Sequence, residues 1–176
     1  GSEFPALVDA HLLHDAGITG HGVTVAVIDS GIEPFKDLLR DTSSMYRLEA
    51  GYDAISDSLL SGKSVSDQSG HGTHVTSIIG NSSIDRSTGD YRSVAPDVSL
   101  VVVRVFDANG QGAYADVIRA LDWVVTNKDD YGIRVLNLSF SAPPQSLYWE
   151  DPLNQAVMAA WQAGVVVVAS AGNKGP

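Results

Sequence analysis

Val23-Thr24-Val25-Ala26-Val27-Ile28-Asp29-Ser30-Gly31 is the stretch that decides the fold. Residues 23–28 are almost continuously apolar, which is how a strand buried on both faces reads; a strand with one wet face would alternate. The run ends in a carboxylate and a polar turn. Comparable runs recur at residues 99–106 (Ser-Leu-Val-Val-Val-Arg-Val-Phe), 133–138 (Ile-Arg-Val-Leu-Asn-Leu) and 165–170 (Val-Val-Val-Val-Ala-Ser). Helical segments are expected between them, at residues 71–80, 113–127 and 153–163, the second carrying Val117, Ile118, Leu121 and Val124 on one face. Strands that alternate with helices imply right-handed crossovers and a parallel sheet covered by helices on both faces, an α/β fold. Ahead of the first strand, residues 5–16 read as one short helix closed by Gly17. Residues 41–69 are rich in Ser, Asp and Gly, with one short strand near residues 48–52, and residues 81–92 read as a polar loop.

The 176 residues suffice for one sizeable domain, and no linker, repeat or low-complexity tract divides them. Gly1 to Phe4 read as a cloning scar, which leaves residues 5–176 as the domain. Eleven Lys and Arg against 21 Asp and Glu give a net charge of −10. That balance disfavours nucleic acid and anionic membrane as partners, because both require clustered cations. The absence of cysteine excludes disulfides, thiolate metal sites and a cysteine nucleophile in this chain. No apolar run approaches the roughly 18 residues of a membrane span, and no basic-then-apolar leader opens the sequence.

In open parallel sheets ligands bind beyond the carboxyl ends of the strands. The polar clusters obey that rule. Asp29 ends the first strand, and there it serves either as a turn or cap carboxylate or as the orienter of a histidine. His71 opens a helix inside Ser69-Gly70-His71-Gly72-Thr73-His74, between two glycines that let the backbone turn sharply and approach closely. His71 and His74 lie at i and i+3 with no Glu between them, so the zinc-protease helix pattern is not met, and His74 reads as a first-turn structural residue. Asn173 follows the fourth run in Ala171-Gly172-Asn173, where its amide could donate to a developing oxyanion.

Val-Ala-Val-Ile-Asp-Ser-Gly-Ile around Asp29, Ser-Gly-His-Gly-Thr-His-Val around His71, Val-Ala-Pro at Pro96, Leu-Asn-Leu-Ser before Phe140, and Val-Val-Ala-Ser-Ala-Gly-Asn at Asn173 occur in one order across nearly the whole chain. Together they resemble the subtilase family, the subtilisin-like serine proteases. The resemblance implies an Asp-His-Ser triad with Asp29 and His71 as its first two members, and Asn173 as the oxyanion-hole donor. It implies that Gly110, Gln111 and Gly112, with Ser139, Phe140 and Ser141, form two edges that pair with an extended peptide, and that Ala169, Ser170 and Gly172 line the primary specificity pocket. It implies a polypeptide substrate, a secreted or extracellular location, no cofactor for the chemistry, and calcium as a structural ion with Asp37 as one ligand. The family's Gly-Thr-Ser nucleophile block does not occur: the sole Gly-Thr is Gly72-Thr73, followed by His74. Ser30, Ser139 and Ser170 fall near the expected cleft but match no nucleophile motif. The expectation is therefore the N-terminal portion of a subtilisin-like catalytic domain, truncated before the nucleophile segment. Such a chain would be inactive alone, complementary to a missing C-terminal half, and prone to self-association. A non-catalytic binding or scaffold domain on the same fold is the alternative. A nucleotide-binding α/β domain is disfavoured, since Asp-Ser-Gly rather than Gly-x-Gly-x-x-Gly follows the first strand.

Overall fold

The computed structural model describes residues 4–60, 66–140, 146–147 and 149–172. The elements run α1 (Phe4–Leu7), α2 (Ala10–Asp15), β1 (Thr24–Asp29), α3 (Lys36–Leu39), β2 (Leu48–Asp53), β3 (Ser58–Leu60), α4 (His71–Gly80), β4 (Ser99–Arg104), α5 (Tyr114–Asn127), β5 (Ile133–Leu138), α6 (Pro152–Gln162) and β6 (Val166–Ala169). They form one six-stranded sheet in the order β3-β2-β4-β1-β5-β6. The four apolar runs, now β1, β4, β5 and β6, are neighbours and pair in parallel.

Every residue of β1 is buried, and alternate side chains serve opposite layers. Ala26 and Ile28 join a cluster containing Val117, Leu121 and Val124 of α5 and Ala156 and Ala160 of α6. Val25 and Val27 join a second cluster with Leu38 of α3, against which Val75 and Ile79 of α4 pack. This double burial is the physical reason that the run is continuously apolar. It also fixes the register, because a one-residue slip would exchange the two layers.

Two expectations need correction. The segment 5–16 is two short helices, not one, because Asp9 sits in the left-handed region at φ 54° and breaks the helical path. The stretch 41–69 contains a second strand: β3 folds back antiparallel on β2, pairing Gly51 with Leu60 and Asp53 with Ser58. It is three residues long with Leu59 exposed, too short to show alternation.

Helix α6 begins where the chain supplies an acceptor. Asp151 precedes α6, and its carboxylate accepts the N–H groups of Leu153 and Asn154 at 3.0 and 3.2 Å, with Pro152 at the first helical position. In α4 the small residues Gly72, Thr76 and Gly80 form the buried stripe, so the helix lies close against the sheet.

Candidate active site

Asp29 is the last residue of β1 and is fully buried. Its Oδ1 accepts the backbone N–H of Ser30 at 2.8 Å and lies 2.7 Å from Nδ1 of His71. Its Oδ2 meets no donor among the described residues. His71 is the first residue of α4, and its ring is half exposed, at 53%. A carboxylate on Nδ1 selects the tautomer that carries its proton there and leaves Nε2 with a lone pair.

The backbone around His71 explains the flanking glycines. Gly70 precedes the helix at φ 82°, where a side chain would be strained. A Cβ on Gly72 would run into the carbonyl oxygen of Gly31 and lie 3.2 Å from the Cβ of Asp29. The helix start therefore abuts the end of β1, which brings a histidine 42 residues distant onto the aspartate.

Gly70 offers no side chain, so the first turn of α4 is capped from outside. The N–H of Gly72 donates to Ser30 Oγ at 3.0 Å, and that of Thr73 donates to Asp67 Oδ2 at 2.8 Å. Asp67 is buried. Burial pushes its carboxyl up, but hydrogen bonds from Thr73, Ser30 and Gly70 outweigh this and hold it below the usual carboxylate value. Sequence reasoning did not single out Asp67; an Asp four residues before the histidine, in a Ser- and Gly-rich loop, was the available signal.

A cleft of about 290 Å³ opens over this pair, lined by Asp29, Ser30, Ser69, His71, Phe106, Gly110, Ser139 and Phe140. The rings of Phe106 and Phe140 meet edge to face at 5.2 Å on its apolar wall. Gly110, Ser139 and Phe140 thus line the cleft. Gln111 does not offer a free backbone: its N–H donates to Asp107 Oδ1 and its C=O accepts from the Asp107 N–H, both at 2.9 Å. Gly112 has no room for a side chain between Val105 and the Phe106 ring. Ala169 pairs with Leu138, and Ser170 Oγ donates to the Phe140 carbonyl at 3.0 Å, which places the end of β6 beside the same strand end. Gly172 follows in the left-handed region at φ 85°. Ser141 and Asn173 lie outside the described residues.

Asp37, the expected calcium ligand, lies beside the loop of residues 81–92. Calcium takes six to eight oxygen ligands, and several oxygens near Asp37 already accept protein donors. The Asp37 carbonyl accepts Ser82 N–H at 2.9 Å, Asn81 Oδ1 accepts Ser83 N–H at 2.8 Å, and Asp85 Oδ1 accepts Ser87 N–H at 2.9 Å. Residues 81–92 close on themselves through an antiparallel bridge between Ile84 and Tyr91, and Arg86 lines the same cavity as Asp37. Among the described residues no group of three or more His, Cys, Asp or Glu could hold a metal. A cation of another kind is present. Arg47, 3% exposed, donates Nε to Leu38 O at 2.9 Å, Nη1 to Pro96 O at 2.6 Å, and Nη2 to Asp37 O at 2.7 Å and to Gly80 O. Burial pushes Arg47 down to about 10 against the upward pull of Asp41, Asp97 and Asp37, which leaves it charged at neutral pH.

The sequence profile of the subtilase family matches residues 20–176. Serine protease AprX of Bacillus subtilis is 37% identical over 164 residues, covering 90% of this chain and 35% of that protein. Minor extracellular protease Epr of the same organism is 33% identical over 160 residues, covering 91% of this chain and 21% of that one. A crystal structure of a cold adapted subtilisin-like serine proteinase superposes with a TM-score of 0.66 at 33% identity, covering 89% of this chain and 48% of the other. The chain thus spans between about a fifth and a half of the length of these relatives. With the family's profile matched from residue 20 onward and its fold reproduced around the Asp29–His71 pair, the chain belongs to the subtilase family.

Proposed function

We propose that this chain supplies the aspartate–histidine part of a serine endopeptidase acting on extended polypeptides. The observation that carries the reading is the 2.7 Å contact of His71 Nδ1 with a fully buried Asp29, beneath a half-exposed ring at a cleft. A serine hydroxyl is a weak nucleophile until a base takes its proton. Nε2 of His71 takes that proton as the hydroxyl attacks the peptide carbonyl, and Asp29 stabilises the imidazolium that forms. The same proton then passes to the departing amine. Asn173 donates to the oxyanion; the corresponding loss in subtilisin itself is about 10²–10³ in turnover. The backbone at Gly110 and Gly112 on one side and Ser139 to Ser141 on the other holds the substrate extended, and Ala169, Ser170 and Gly172 face its specificity-determining side chain.

The serine is supplied by polypeptide outside these 176 residues, because no Gly-Thr-Ser block occurs within them. The chain by itself is therefore inactive, and its partners are the remainder of the catalytic domain and the polypeptide substrate. An extracellular site of action is supported by the likeness to Epr, named an extracellular protease. Among the described residues no helix is long and apolar enough to cross a membrane.

The test is peptide hydrolysis and labelling by a serine-reactive phosphonate, with and without the downstream polypeptide. Activity should appear only with it, and His71→Ala should remove about 10⁴-fold or more. Equal activity of the wild type and His71→Ala would end the mechanism proposed here, whereas no hydrolysis or labelling even with the downstream polypeptide would favour a scaffold role.

A further inference from the structure

Asp67 is not among the residues lining the cleft. It is buried at 4% exposure, yet five donors converge on it. Oδ1 accepts Ser30 Oγ–H at 2.8 Å, Gly70 N–H at 2.8 Å and Ser69 N–H at 3.1 Å. Oδ2 accepts Thr73 N–H at 2.8 Å and Thr73 Oγ1–H at 2.6 Å. These partners are not scattered. Gly70 directly precedes His71, Thr73 lies in the first turn of α4, and Ser30 directly follows Asp29.

Ser30 is the point of connection. Its hydroxyl has one hydrogen and lies between two carboxylates, 2.8 Å from Asp67 Oδ1 and 3.2 Å from Asp29 Oδ1, while the Gly72 N–H occupies one lone pair. The shorter contact takes the hydrogen. Asp29 Oδ1 then keeps two strong donors, the Ser30 N–H and His71 Nδ1–H. A carboxylate with fewer competing donors binds each remaining one more strongly.

We infer that Asp67 is a positioning residue for the His71–Asp29 pair. It draws the Ser30 hydroxyl hydrogen away from Asp29 and pins the first turn of α4, so that His71 Nδ1–H remains the sole side-chain donor on Asp29. The catalytic meaning of this inference rests on the protease reading above; the structural coupling does not.

His71 reports the coupling. The titratable and charged groups near it are Asp29 from β1, Asp67 from the preceding loop, His74 one turn along α4 and Glu33 (whose N–H donates to Thr73 Oγ1), while Asp107 after β4 shares a neighbouring cavity with Ser30. Arg104 lies by Ser30 but is held by Asp53 at 2.7 Å. The other cleft-lining residues, Ser69, Phe106, Gly110, Ser139 and Phe140, carry no charge.

The experiment is NMR of this chain at fixed neutral pH with isotope-labelled histidine, following the His71 ring nitrogens and the low-field Nδ1–H proton. Asp67→Asn removes the charge and frees the Ser30 hydroxyl to turn to Asp29. The Nδ1–H resonance of His71 should move. Ser30→Ala in the same background removes the hydroxyl, so the double variant should recover part of that shift. Simple loss of a charge or of a cap predicts no such recovery. An unchanged His71 in Asp67→Asn with a lowered melting temperature, or a double variant shifted as far as the single one, overturns the inference. Where Asp67→Asn does not fold, Thr73→Val removes one donor and keeps the carboxylate; it must move the same resonance, and no movement overturns the inference. None of these readouts requires peptide cleavage, so failure of the protease reading and failure of this coupling are separate results.

Discussion

Replacing Arg47 by methionine tests whether a built-in cation holds together the three segments it bridges. The guanidinium joins α3 through the carbonyls of Asp37 and Leu38, the end of α4 through Gly80, and the turn before β4 through Pro96. In Arg47→Met the Asp37 carbonyl keeps the Ser82 N–H, but the other three lose the guanidinium. Four charge-assisted bonds at about 1.5–3 kcal/mol each amount to roughly 6–12 kcal/mol. Releasing the cation from its buried site returns several kcal/mol, which offsets about half of that loss. The expected net loss is about 3–5 kcal/mol, or a fall in melting temperature on the order of 10 °C for a chain of this size. The three tryptophans give a fluorescence signal for urea unfolding at neutral pH. The wild-type midpoint should be the same with a chelator and with excess calcium, and calcium should not restore Arg47→Met. Arg47→Lys should recover less than half of the loss, because one ammonium cannot reach carbonyls arranged around a planar fork. A loss below about 1 kcal/mol, or a wild type stabilised by calcium in proportion to ligand concentration, would refute this account.

Gly72→Ala should destabilise the chain by about 3 kcal/mol or more and displace His71, since its Cβ meets backbone at Gly31 that cannot move aside; a near-neutral thermal melt counts against the close approach of α4 to β1. Asp53 and Asp67 are held below their ordinary value of 3.8 by hydrogen bonds that outweigh burial, chiefly from Arg104 and Ser56 and from Thr73 and Ser30 respectively. Their contribution is present above that pH and lost as the pH falls through their folded values, so urea midpoints should drop on acidification below about 4, and Asp67→Asn should flatten that drop. Val166 and Val168 are more than half and half exposed on the terminal strand β6, with Trp161 exposed on α6. Val168→Lys should therefore reduce concentration-dependent association in sedimentation, if copies of this chain pair through that edge.

What the sequence revealed and what it hid differ by the kind of partner involved. β1 was legible because both of its faces are buried, which leaves a run of six residues without alternation. His71 was legible because its neighbours must be glycine, and glycine is visible in sequence. Asp67 was not, since three of its five donors are backbone N–H groups, and the Ser30 hydroxyl comes from 37 residues away. Arg47 was hidden for the same reason: all four of its acceptors are main-chain carbonyls, which any sequence supplies. An arginine in a stretch rich in Ser and Asp reads as a solvated side chain. β3 has three residues and one exposed leucine, below the length at which a period of two can be recognised.

The groups that set the Asp29–His71 geometry lie in β1, in β4 and the residue after it, and in the first turn of α4 with the loop before it. Asp29 stands opposite Arg104 in the β1–β4 register, and its carbonyl accepts the Val105 N–H at 2.8 Å, so the sheet fixes the carboxylate from behind. Gly72 fixes how near α4 can come, while Ser30 and Asp67 fix its first turn. Among the described residues these contacts come from the sheet, α4 and the loop before it. On the protease reading, the pair is thus assembled by folding of the sheet and α4 rather than by arrival of a nucleophile, and the cost of desolvating Asp29 is met before any substrate binds. A site built in this order confines the remaining requirement to placing one hydroxyl within reach of His71 Nε2. That is why a low-field Nδ1–H proton should already be visible in this chain without a nucleophilic serine.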